Sequence, residues 1–64
     1  MTKKEAIVLM KQGKRITHNY FDKKEWMTMQ DGMIVLEVGV KCKPSDFWVD
    51  RTVSGWEDGY FEFD

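Results

Sequence analysis

Two side chains have the chemistry of a nucleophile and its base: His18 and Cys42, the single histidine and single cysteine of the chain. A Cys–His pair works when the two are close, a third group orients the imidazole and an oxyanion site is at hand. Nothing at these positions supplies the third group or the oxyanion site, so they read as a strand histidine and a loop thiol. One histidine and one cysteine also fall short of a four-ligand structural zinc site. The pairs Asp46/Asp50 and Asp58/Glu62 have the four-residue spacing of one helical face. In so acidic a stretch they read as solvated carboxylates. Gly13-Lys14 lacks the preceding glycine and following Ser/Thr of a phosphate loop, and it closes a helix where that motif opens one. The residues therefore assign no catalytic, metal or cofactor site, and the chain is expected not to be an enzyme.

Whatever the function is, the elements that present it must be built from 64 residues. That is one domain with a thin core, marginal by itself. A lone cysteine excludes an internal disulfide, which leaves dense aromatic packing or a partner, and self-association as a homo-oligomer is expected. The lone cysteine suits a reducing compartment. No apolar run approaches a membrane span, and Ala6–Met10 is too short for a signal-peptide core, so a cytoplasmic location is expected.

The central stretch is Glu25–Val38, a β-hairpin turning at Asp31-Gly32, the pair that favours a type I′ turn. Its register sets Gln30 opposite Met33, Met29 opposite Ile34, Thr28 opposite Val35, Met27 opposite Leu36 and Trp26 opposite Glu37. Alternation then puts Met27, Met29, Ile34, Leu36 and Val38 on one apolar face. Trp26, Thr28, Gln30, Met33, Val35 and Glu37 share the other. Thr2-Lys3-Lys4-Glu5 is a capping box opening a helix over 3–12 that Gly13 ends, with Ala6, Ile7, Leu9 and Met10 on one arc and Val8 outside it. Lys14–His18 reads as a strand, with Ile16 and His18 on one side. Asp22-Lys23-Lys24-Glu25 is a second capping box, which would delay the first hairpin strand. Val40–Lys43 reads as a loop, and 46–51 as a helical segment capped by Ser45 or Asp46 and anchored by Phe47 and Trp48. A last strand, Tyr60–Phe63, is expected with Phe61 and Phe63 inward and Tyr60 and Glu62 outward. The sum is an α+β domain: an N-terminal helix on a small antiparallel sheet of about four strands, with a short helical turn before the last.

Three surfaces follow. If the helix covers the Met27/Leu36 face, Trp26, Met33 and Val35 are left outward as the centre of a partner-binding patch, unless the Phe47/Trp48 segment folds over them. Charge is uneven. Residues 1–32 carry seven basic against four acidic side chains, and residues 33–64 three against seven. The acidic end, with Trp48, Asp50, Trp56, Glu57 and Asp58, is a second candidate contact toward a basic partner. Arg15, His18, Tyr20, Lys23 and Lys24 interleave cations with rings, the composition of a ligand- or RNA-binding surface.

The run Glu5-Ala6-Ile7, then Met10-Lys11-Gln12-Gly13-Lys14-Arg15-Ile16-Thr17, a Trp-bearing strand, an Asp-Gly turn and a late Gly55-Trp56-Glu57 resembles small phage-encoded proteins. That family includes anti-defence proteins that sequester the cyclic ADP-ribose signal of the Thoeris system. This chain is shorter and lacks the long middle segment that helps form their ligand pocket. As a whole it is also similar to the small proteins of phages and mobile elements among which anti-CRISPR inhibitors occur. The resemblance implies a non-enzymatic inhibitor that docks stoichiometrically on a host defence protein, such as a CRISPR nuclease or its guide-RNA complex. The alternatives it leaves are a sponge for a cyclic-nucleotide-type signal, holding phosphates through Arg15 and His18, and a small nucleic-acid-binding module.

Overall fold

The computed structural model describes residues 1–63. Its elements are α1 (Lys3–Lys11), β1 (Ile16–His18), β2 (Met27–Gln30), β3 (Met33–Leu36), β4 (Lys41–Cys42), α2 (Pro44–Trp48), a 3₁₀ turn (Ser54–Trp56) and β5 (Tyr60–Glu62). The strands form one sheet in the order β4-β3-β2-β1-β5, each pair antiparallel. The architecture is α+β, an N-terminal helix on an antiparallel sheet, with five strands where four were expected.

α1 begins at a complete capping box. The Thr2 hydroxyl accepts from the Glu5 amide at 3.2 Å, and the Glu5 carboxylate accepts from the Thr2 amide at 2.8 Å. The bonds that the carboxylate accepts, from the Thr2 amide first and then from the Thr2 hydroxyl at 3.1 Å, hold the Glu5 carboxyl below the ordinary glutamate range. Gln12 is the C-cap, and Gly13 follows at φ +85°, the left-handed position that glycine takes without strain. Ala6 and Met10 are fully buried from α1, while Val8 is exposed.

The hairpin forms in the register its turn dictates, with Asp31 and Gly32 both at positive φ. Ahead of it, Asp22 and Glu25 exchange backbone-to-side-chain bonds of 3.0 Å as a capping box does. They close a turn and not a helix, and β2 starts at Met27. The apolar face of the hairpin joins Ile16 and Tyr60 under α1, and Phe47 of α2 closes the same core. Both helices thus lie on one side of the sheet.

Four expectations are corrected. Val38 lies outside the core, because β3 ends at Leu36 and the chain turns over Glu37–Gly39, leaving Val38 73% exposed. That turn, with Leu36 N–H donating to Val40 O at 2.9 Å, converts the expected loop into β4 at the sheet edge. α2 starts at Pro44 and not at 46, and neither Ser45 nor Asp46 caps it. Proline at the first helical position needs no amide partner, and its fixed φ opens the helix without a side-chain cap. The last strand is inverted: Tyr60 is buried and Phe61 exposed, because β5 pairs with β1 so that Tyr60 faces His18 across the ladder.

Met27 sits at the centre of the core with no exposure, and truncation there leaves a cavity that α1 and the sheet cannot both close. Met27→Ala is expected to cost ~3 kcal/mol in urea melts. Val38→Ala should stay within about 0.5 kcal/mol of the parent. Because Glu5 is depressed in the fold, its contribution is present above the ordinary glutamate range and lost as pH falls through the lowered value. Glu5→Gln should therefore flatten the acid limb of stability below the ordinary glutamate range, read in melts at each pH.

Candidate functional site

His18 is inside the fold, 1% exposed. Its Nε2 lies 2.9 Å from the Gly55 carbonyl and 2.7 Å from the Asp58 carbonyl, while Nδ1 accepts the Tyr20 amide at 3.0 Å. Two acceptors at Nε2 and a donor at Nδ1 fix the neutral tautomer with the proton on Nε2. The ring stacks on Trp56 at 4.4 Å and meets Tyr60 edge-on at 4.4 Å. Every polar atom of the imidazole is committed to the backbone. Cys42 stands on β4, three strands away, roughly 14 Å at ordinary strand spacing. The two do not form a dyad. Asp46 and Asp50 are both exposed, one within α2 and one beyond it, and Asp58 and Glu62 straddle the Gly59 turn. Among the described residues no group of three His, Cys, Asp or Glu side chains converges on a metal position, and no helix is long and apolar enough to cross a membrane.

The residues proposed for partner contact separate into groups. Trp26, Met33 and Val35 share the sheet face away from α1 and α2, all half-buried. The Phe47/Trp48 segment does not fold over them. Trp48 lies on the helix side, edge-on to Phe47 at 4.8 Å, with Lys3 Nζ 4.4 Å from its ring. Trp56 is packed on His18, and Asp50 is exposed beyond α2. Glu57 and Asp58 are exposed before β5, the Asp58 carboxylate 3.6 Å from the Met1 ammonium.

The ligand or RNA set is also divided. Arg15 joins the outer face and His18 is buried. Tyr20 is exposed, edge-on to Trp56 at 4.9 Å, and Lys23 and Lys24 stand in the turn after it. Arg15 and His18 thus point to opposite sides of the sheet and share no site within one chain.

On the outer face the structure adds two rings missing from the sequence reading. Phe61 lies opposite Thr17 in the β1–β5 ladder and is 48% exposed. The Phe63 amide donates to Arg15 O at 2.9 Å, setting Phe63 beside Arg15. The Arg15 guanidinium is 5.4 Å from the Trp26 ring and 5.3 Å from the Phe63 ring, a cation set over two neighbouring rings. Trp26 and Phe63 are themselves 6.3 Å apart. Val35 has Thr28 on one side and Lys41 on the other. The Thr28 hydroxyl donates to Lys14 O at 2.7 Å, tying the β2 end of this face to the lead-in of β1. The signal for Phe61 was weak in the sequence: Tyr60 and Glu62 on one parity against two phenylalanines on the other favours the wrong face.

No family model, curated protein or solved structure matches this chain.

Tyr60 has its hydroxyl buried and donating to the Trp56 carbonyl. Burial, helped by the Glu57 charge and opposed by Arg51, pushes its pKa up to about 12. A raised value in the fold means the stabilisation is complete below the unfolded-state pKa of about 10 and is lost as pH rises through about 12. Urea melts across that window should show the loss, and Tyr60→Phe should remove most of the dependence.

Proposed function

We propose that this chain is a non-enzymatic anti-defence protein that inhibits a host effector by stoichiometric binding through the outer face of its sheet. The effector is a CRISPR nuclease or its guide-RNA complex, and the protein acts in the host cytoplasm. The observation that carries the reading is the face itself: Trp26, Met33 and Val35 with Arg15, Phe61 and Phe63, left uncovered because both helices pack on the opposite side. A tryptophan and a stacked arginine amid apolar neighbours are the residue types that dominate interface energetics. Exposed Phe61 adds apolar area at a position where a core has no use for it. The resemblance to phage-encoded anti-defence proteins supplies the class of partner, and the docking mode fits a chain whose one histidine is spent on its own backbone.

Expression in bacteria that carry an active CRISPR nuclease should restore plaque formation by a targeted phage. Trp26→Glu should abolish the rescue while the circular dichroism spectrum stays that of the parent. Restriction that persists against every nuclease type in a representative panel would overturn the proposal.

A further inference from the structure

The outer face has two flanks of different chemistry, one on each side of β2, the middle strand of five. The β3 flank carries Met33, Val35 and Glu37, with Lys41 beyond them on β4. The β1 flank carries Arg15 and Thr17, with Phe61 and Phe63 beyond them. Trp26, just ahead of β2, stands between the flanks.

Each flank holds a charge that the chain itself leaves unanswered. Among the described residues the one ion pair joins Met1 to Asp58, so neither Arg15 nor Glu37 has an oppositely charged partner there. The Arg15 guanidinium lies over the Trp26 and Phe63 rings, which leaves the N–H edge of its plane open to a carboxylate. Arg51, on the other side of the sheet, has already spent such a donor on the Phe47 carbonyl. Glu37 is half-buried, its amide donating to Trp26 O at 3.2 Å. The face as a whole favours neither sign, with Lys41 beside Glu37's flank and Lys23, Asp22 and Glu62 at its rim. A face with opposite charges on opposite flanks is complementary to itself.

A second copy turned about a two-fold axis along β2 sets the β1 flank of each chain on the β3 flank of the other. Arg15 reaches toward Trp26, the residue opposite Glu37, so its guanidinium arrives at Glu37 of the second copy. Lys41, Val35, Thr28, Arg15 and Phe63 fall in one row across the sheet, so Phe63 meets Lys41 of the second copy. The two Trp26 rings come together near the axis. Joining by the sheet edges is closed off instead. The outward N–H of Tyr60 donates to Met1 O at 3.1 Å and its carbonyl accepts the Met1 ammonium at 2.6 Å, so β5 is covered. β4 is two residues long and has a lysine within it and another just after it.

We infer that the outer face pairs with that of a second copy in an isologous dimer, Arg15 of each chain bonded to Glu37 of the other around the two Trp26 rings. The pairing does not depend on the inhibitor reading. It occupies the same face, so the species that docks on an effector is the monomer and the dimer is its masked form.

Sedimentation of the full chain from micromolar to millimolar concentration should show a reversible monomer–dimer equilibrium. Arg15→Glu and Glu37→Arg should each weaken the dimer by about tenfold or more, because like charges then face each other. Mixing the two variants should restore it, since opposite charges again meet at both positions of the mixed dimer, and each variant alone should keep the parent's circular dichroism spectrum. A monomer at every concentration, an assembly larger than two, single variants that dimerise as the parent does, or a mixture no tighter than either variant would each overturn the inference. Plaque rescue by a chain that stays monomeric removes the dimer and leaves the inhibitor reading standing. A dimer that gives no rescue does the reverse.

Discussion

The clamp made by His18 decides how the last third of the chain lies on the first. A buried imidazole needs its polar atoms satisfied, and here they are met by the carbonyls of Gly55 and Asp58 and the amide of Tyr20. Those carbonyls flank the residues that lead into β5. With them fixed, Tyr60 pairs opposite His18 and turns inward, and its hydroxyl closes back on Trp56. Strand alternation does the rest: Phe61 faces out, on the same side as Trp26 and Arg15. The one residue that looked ready for chemistry thus acts as a fastener, and the fastening builds the outer face.

Much of this was legible in the sequence. The Asp31-Gly32 turn fixes a two-residue hairpin, and a fixed turn fixes every pair behind it, so Trp26, Met33 and Val35 could be placed on one face without coordinates. The capping box and Gly13 did the same for α1. These are local devices whose effect is complete within a few residues. β5 is different, because its face depends on a partner more than forty residues away, and its own composition is ambiguous between parities. β4 was missed for a related reason. Lys41 and Cys42 have no strand pattern of their own and pair only because the turn after Leu36 returns them to β3.

The two arginines show how the chain handles cations near apolar surface. Arg51 lies 4.0 Å over Phe47 and 5.3 Å from Trp56, donating one bond to the Phe47 carbonyl. Arg15 lies over the neighbouring rings of Trp26 and Phe63. Both use ring faces to hold a planar cation that is weakly hydrated, a role lysine's compact ammonium fills less well. On the helix side the arrangement finishes a core. On the outer face the same arrangement stiffens a cation that nothing covers.

That outer face is left open by the arithmetic of a thin chain. α1 must cover the hairpin, since a helix of nine residues and a two-stranded ribbon are each unstable alone. α2 is one short element, and Phe47 is needed to close the core above β3. Moving α2 across the sheet would expose Ile34 and strand Trp48, whose ring now lies against Phe47 and Lys3. The chain therefore has enough apolar mass to cover one side of five strands and not both. What remains on the other side is concentrated by register into a contiguous patch with a charge at its centre. An uncovered patch of that composition is a hazard for self-association, and the same limit that keeps the fold small leaves it on the surface.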